Sequence, residues 1–200
     1  MSKISSVAVI GLGYIGLPTA AILADNGLRV HGVDVNPKTV EAVNAGSVPF
    51  VEPELGDYVA RTVAAGQLTA TVDPPAADAY IVAVPTPFLE NKTPDLSYIE
   101  AAGRTLATQL SGDELIILES TSPPGATERL ADVVHEARPD LAAAGTLQFA
   151  HAPERVLPGK IMEELVTNDR IIGGSTPEAA ERAVELYRSF CQAELVTTDT

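Results

Sequence analysis

One cysteine, Cys191, stands in a chain of 200 residues. An internal disulfide framework is excluded, and so is any metal cluster built on paired cysteines. Positive charge is also scarce: lysine occurs four times, and 13 basic against 27 acidic residues leave a formal net charge of −14. Nucleic acid and anionic membrane surfaces both need a basic face, so neither is an expected partner. An anionic ligand would need a local site, a helix N-terminus or an individual arginine, to overcome that field. No apolar run approaches the ~20 residues of a membrane span. The opening MSKISSVAVIGLG runs from its apolar stretch straight into a glycine turn, unlike a cleavable signal. A cytoplasmic chain is the expectation.

What is present is the composition of a globular protein, 46% hydrophobic and 20% charged. Short β-branched or apolar runs at 5–11, 28–34, 68–73, 79–85, 114–120, 147–149, 170–174 and 193–199 read as strands. Between them, helical periods fall at 18–27, 37–46, 52–66, 96–110, 126–137, 161–166 and 176–190, the last with Thr176 as its N-cap. This alternation predicts parallel strands joined by crossovers. The expected fold is α/β: a Rossmann-type, doubly wound, mainly parallel sheet with helices on both faces, filling residues 1–200 as one domain. Such sheets bind ligands beyond the carboxyl ends of their strands.

GLGYIG, residues 11–16, fits the dinucleotide fingerprint. Gly11 would allow the tight turn, Gly13 the approach of a pyrophosphate, and Gly16 the packing of helix on strand. By itself the pattern is weak. Its setting strengthens it, because a β-branched strand leads in and an apolar-periodic helix leads out. Asp34 ends the second strand, eighteen residues past Gly16, where an acid would bind the adenosine ribose hydroxyls. Val35, Asn36 and Pro37 follow, with no arginine for a 2′-phosphate. NAD rather than NADP is therefore the expected cofactor. A plain glycine turn followed by an unrelated surface aspartate would require three features to coincide.

Three further loops follow strands. VPTP (84–87) carries Thr86 between prolines, ESTSPPG (119–125) offers Ser120 and Thr121, and AHAPERVLPGK (150–160) sets Glu154 beside Arg155 between two prolines, Pro153 and Pro158. They should cluster at one sheet edge, near the nicotinamide. A glutamate there would serve as base or orient water, and an arginine would grip a phosphate or carbonyl. The plainer alternative for the pair is a local surface salt bridge, worth about 0–1 kcal/mol.

GLGYIGLPTA, VPTPF, PDLSY, ESTSPPG, PERVLPG and NDRIIGG, in this order, resemble the UDP-glucose/GDP-mannose dehydrogenase family, from about residue 4 onward. The reading PERVLPG, where UDP-glucose enzymes usually have PEFLxEG, places the likeness in the N-acetylmannosamine branch. UDP-glucose itself and other UDP-N-acetylhexosamines stay open as substrates. The resemblance implies oxidation of a sugar C6 alcohol to a carboxylate by two NAD in turn, through a cysteine-bound thioester, yielding a polysaccharide precursor. By motif, Gly11, Gly13, Tyr14, Ile15, Gly16, Asp34, Thr86 and Thr121 would contact NAD. Arg155 and Val156 would touch the UDP-sugar, and Glu154, assisted by Thr121, would handle the hydrolytic water. No metal is implied, and relatives are homodimers.

The family's downstream GGHC-type nucleophile motif and its catalytic lysine and asparagine are absent from these 200 residues. Cys191, after YRSF at a helix end with no His or Lys beside it, is expected to be a buried structural thiol. The chain thus reads as an N-terminal NAD-binding half that does not turn over substrate by itself. Two other readings compete: a two-electron hydroxyacid dehydrogenase, which leaves PERVLPG unexplained, and a non-catalytic NAD-binding module. His31 and His135 read as incidental, and His151 as a residue near the site.

Overall fold

The computed structural model describes residues 3–200. Alternate side chains of β1 (Ser6–Ile10) enter different cores, Val7 and Val9 one, Ala8 and Ile10 the other. Period-two alternation with apolar residues on both faces marks a strand covered on both sides. After it come α1 (Gly16–Asp25), β2 (Arg29–Val33), α2 (Pro37–Asn44), α3 (Leu55–Ala64), β3 (Leu68–Thr71), β4 (Ala79–Val82), α4 (Ser97–Ala107) and β5 (Leu115–Leu118). Then follow α5 (Ala126–Ala137), α6 (Pro139–Ala144), β6 (Gln148–His151), α7 (Ile161–Thr167), β7 (Arg170–Gly174), α8 (Pro177–Tyr187) and β8 (Leu195–Asp199).

The strands form one sheet in the order β3-β2-β1-β4-β5-β6-β7-β8. Helices α1, α3, α7 and α8 pack on one face, and α4, α5 and Leu141 of α6 on the other. The doubly wound α/β fold is as expected. At β1 the strand order reverses, β2 and β3 lying to one side and β4 to the other. The crevice beyond the carboxyl ends of β1 and β4 is where such a sheet takes a ligand. Thr176 caps α8 as expected, its Oγ1 accepting from Ala179 N at 3.2 Å. Among the described residues no helix is long and apolar enough to cross a membrane.

Three details depart from the sequence reading. The alternation gave a mainly parallel sheet without showing which pair departs from it; β7 pairs antiparallel with β6, and β8 runs parallel to β7. The reason is length: seven-residue α7 spans only about 10 Å, and the residues before it form an irregular loop at the carboxyl edge. The chain therefore re-enters the sheet from the edge it had just left. Helix α3 starts at Leu55, not at residue 52, because Glu54 takes φ +64°, outside the helical region. Six-residue α6 was not foreseen, being too short to show a period.

Candidate cofactor and substrate site

The turn after β1 is tight because two of its glycines have no room for a side chain. Gly11 has φ +97°, and a Cβ there would lie 2.5 Å from Ala83 O. A Cβ on Gly16 would press into Gly11 O, so the first turn of α1 sits directly on the loop. Gly13 is the opposite case: a Cβ there meets nothing within 4 Å, so the backbone faces open space. The amides of Tyr14 and Ile15 find no acceptor among the described residues, as usual at a helix start. Open backbone, free amides and the positive end of a helix suit a pyrophosphate.

Asp34 lies just past β2, half-buried, tied to the same turn. Its Oδ2 accepts from Leu12 N at 2.9 Å and its Oδ1 from Asn36 N at 2.8 Å. Each carboxylate oxygen keeps a second lone pair, enough for a ribose diol. Tyr14, 51% exposed, stacks on Phe50 with ring centroids 4.3 Å apart. These residues fit an adenine dinucleotide.

The three proline-rich loops are laced together at the carboxyl edge. Ser120 Oγ donates to Val84 O at 2.6 Å, Thr86 Oγ1 to Thr121 O at 2.7 Å, and Thr121 Oγ1 to Glu154 O at 3.3 Å. Their clustering is therefore as the sequence implied. His151 approaches them too, its Nε2 being 3.4 Å from Ser120 O, and burial lowers its pKa.

Glu154 and Arg155 do not form the local surface salt bridge. Their side chains diverge. Glu154 is buried, its Oε1 accepting from Arg155 N at 2.7 Å and its Oε2 in a close ion pair with Arg170. The antiparallel register, Ala150 against Gly174 and His151 against Gly173, continues to bring Arg170 opposite Glu154. The reversal of β7 thus creates the ion pair. Arg155 is exposed and makes no ion pair among the described residues, while Val156 packs on the core.

The loop that carries Arg155 is held by carboxylates along its length. Leu157 N donates to Glu164 Oε2 at 2.8 Å, Gly159 N to Glu52 Oε2 at 2.8 Å, and Ile161 N to Glu52 Oε1 at 3.0 Å. Glu52 belongs to the segment between α2 and α3, two residues after Phe50. That segment therefore touches the glycine turn at one end and the arginine loop at the other.

Several of these residues were invisible to the sequence reading. Glu119 and Arg170 stand at strand ends, where a charged residue ordinarily marks solvent, yet they are 0% and 4% exposed. Tyr187 Oη donates to Glu119 Oε1 at 3.0 Å, and Thr19 Oγ1 to Glu119 Oε2 at 3.0 Å. A glutamate directly after the apolar run LIIL and an arginine directly before IIGG were the available hints. Cys191 is buried as expected, its Sγ donating to Asn168 O at 3.6 Å. A separate cavity of about 260 Å³ opens at the amino edge beside Asp78 and Glu114. Its acids serve the fold: Asp78 accepts from Ser5 and Ser6, and Glu114 from residues 111–113.

The NAD binding domain of the UDP-glucose/GDP-mannose dehydrogenase family matches residues 5–191. The chain belongs to this family. Among the family's curated members it is 50% identical to an NDP-N-acetyl-D-galactosaminuronic acid dehydrogenase of Ralstonia nicotianae, over 97% of this chain and 47% of the relative. It is 48% identical to a UDP-N-acetyl-D-mannosamine dehydrogenase of Yersinia pestis, over 98% of this chain and 48% of the relative. The solved UDP-D-ManNAc dehydrogenase of Pyrococcus horikoshii superposes with a TM-score of 0.91 at 39% identity, covering 98% of this chain and 47% of that one. The chain spans about half the length of the relatives it matches. Its cofactor is the family's NAD.

Proposed function

We propose that residues 1–200 form the NAD-binding unit of a nucleotide-sugar 6-dehydrogenase that oxidises UDP-N-acetyl-D-mannosamine to its uronate. The observation that carries this reading is the hydrogen-bonded series from Thr86 through Thr121 to Glu154, beside a glycine turn fitted to a dinucleotide. NAD, when bound, supplies the hydride acceptor. Residues 11–16 offer the pyrophosphate their amides, and Asp34 accepts from the ribose hydroxyls. Thr86 and Thr121 border the nicotinamide end. Arg155, exposed and without an ion pair among the described residues, meets the anionic sugar nucleotide together with Val156. Glu154 and Thr121 order the water that hydrolyses the acyl intermediate, because each Glu154 oxygen keeps a free lone pair. A UDP-N-acetylgalactosamine-type substrate is the second reading, favoured by the 50% identity to the Ralstonia dehydrogenase. As in the family's dimeric members, we assign the whole enzyme a two-fold assembly in the cytoplasm.

Calorimetric titration tests the cofactor half of this reading. NADH is expected to bind at least tenfold more tightly than NADPH, because a 2′-phosphate would meet the Asp34 carboxylate. Asp34→Asn keeps an acceptor for Leu12 N but loses the charge-assisted ribose bonds, worth about 1.5–3 kcal/mol. A roughly 10–100-fold weaker NADH affinity is expected; equal affinity for NADH and NADPH in the unaltered chain would refute the assignment.

The second test is turnover. The one cysteine of the sequence is buried, 1% exposed, among α7 and α8, so it is not placed to capture an aldehyde. Incubated with NAD and UDP-N-acetylmannosamine, the 200-residue chain is expected to yield no NADH absorbance. A steady increase would overturn the division of labour in which the nucleophile lies outside these residues.

A further inference from the structure

Behind Glu154 lies a buried cluster with more acid than base. Glu119, Glu154 and Arg170 are 0%, 7% and 4% exposed. Two carboxylates share one guanidinium, so full ionisation would leave one negative charge uncompensated away from bulk solvent. The contacts are unequal. Arg170 Nη2 forms a close ion pair with Glu154 Oε2, while Nη1 stands 3.6 Å from Glu119 Oε1, beyond hydrogen-bond range. Glu119 meets hydroxyls instead, Tyr187 Oη and Thr19 Oγ1, each at 3.0 Å. A hydroxyl serves a neutral acid as readily as a carboxylate, since it both donates and accepts. The guanidinium is fixed between rings, 4.5 Å from the centroid of Tyr187 and 5.7 Å from that of Phe190.

We propose that Glu119 is the neutral member of this pair: it holds a proton, leaves Arg170 to Glu154, and so positions Glu154 as the ionised carboxylate of the site. The protonation statement stands on the cluster alone; its catalytic meaning rests on the water-ordering role proposed for Glu154. The groups facing Glu119 are Thr19 from α1, Glu154 from the loop after β6, Arg170 from β7, and Tyr187 from α8. Cys191 is also a neighbour of Arg170. Burial raises the Glu119 pKa to about 7, the Glu154 charge adding to the rise and Arg170 opposing it. As pH rises through neutrality, a second negative charge appears, competes for Arg170, and loosens its hold on Glu154.

Infrared difference spectra of the chain without cofactor, taken between acidic and alkaline pH, read this directly. The carbonyl stretch of a neutral, buried carboxylic acid is expected at pH 6 and lost by pH 8.5. Tyr187→Phe and Thr19→Val each remove a hydroxyl that touches Glu119 and not Glu154, so each should shift the band. Glu119→Gln should abolish it. Absence of the band at pH 6 overturns the proposal, and so does a band that ignores both hydroxyl deletions, since the proton would then sit on Glu154. Because no nucleotide is involved, this result is independent of the NADH titration.

Discussion

Arg170→Met is expected to destabilise the chain by about 3–5 kcal/mol at pH 8, measured by urea unfolding, and distinctly less at pH 5. The magnitude follows from stranding buried acids: deleting one partner of a buried ion pair leaves an uncompensated charge, and that typically costs about this much. Here a single guanidinium faces both Glu119 and Glu154, so its loss leaves two. Methionine fills most of the volume between Tyr187 and Phe190, so little of the loss comes from a cavity.

The pH dependence has a definite sign. A carboxyl whose folded pKa lies above its unfolded value binds a proton that the unfolded chain releases. Stability is then full below the unfolded pKa and declines as pH rises toward the folded one. Glu119, raised to about 7, already makes the unaltered chain less stable between about pH 4.5 and 7. Without Arg170, which now opposes that rise, the decline extends to higher pH. A pH-independent loss in Arg170→Met would show that its packing, not its charge, holds the cluster.

Gly16→Ala is expected to weaken NADH binding by at least about 100-fold, with a lowered melting temperature. The added methyl has nowhere to go, since its Cβ would drive into the carbonyl oxygen of Gly11 and crowd the Ala83 side chain. Either the turn opens or α1 lifts from the sheet, and both displace the amides that face the phosphates. A shift of about an ångström in such a loop is enough for a loss of this size. Gly13→Ala is the contrast. Its Cβ meets no protein atom, so the fold should keep its stability while the affinity falls by intrusion into the space kept for the ligand. Unchanged NADH affinity in both variants would remove the glycine turn from the binding site.

The glycine turn, Asp34 and the three loops were legible because each rests on local chemistry: a backbone conformation open to glycine, or prolines that stop a strand. The doubly wound sheet was legible because strand and helix periods differ. What escaped depends on pairings far apart in sequence. Glu119, Arg170 and Tyr187 each look like ordinary strand-end or helix residues. Only the order β5-β6-β7 and the reversal of β7 bring them to one point. That reversal was hidden because a strand and a short helix read the same whichever way the chain re-enters. Glu52 was read as the start of a helix, but the left-handed backbone at Glu54 delays that helix and leaves the carboxylate free to reach Gly159 and Ile161.

The stretch from Val48 to Glu54 carries a consequence for binding entropy. It holds an aromatic ring of the nucleotide turn through Phe50 and two amides of the arginine loop through Glu52, with Pro49 and Pro53 stiffening it on either side. Neither wall of the crevice can drift without bending this splint. Much of the ordering that a ligand would otherwise impose is already built into the fold, and an incoming molecule forfeits correspondingly less of its affinity.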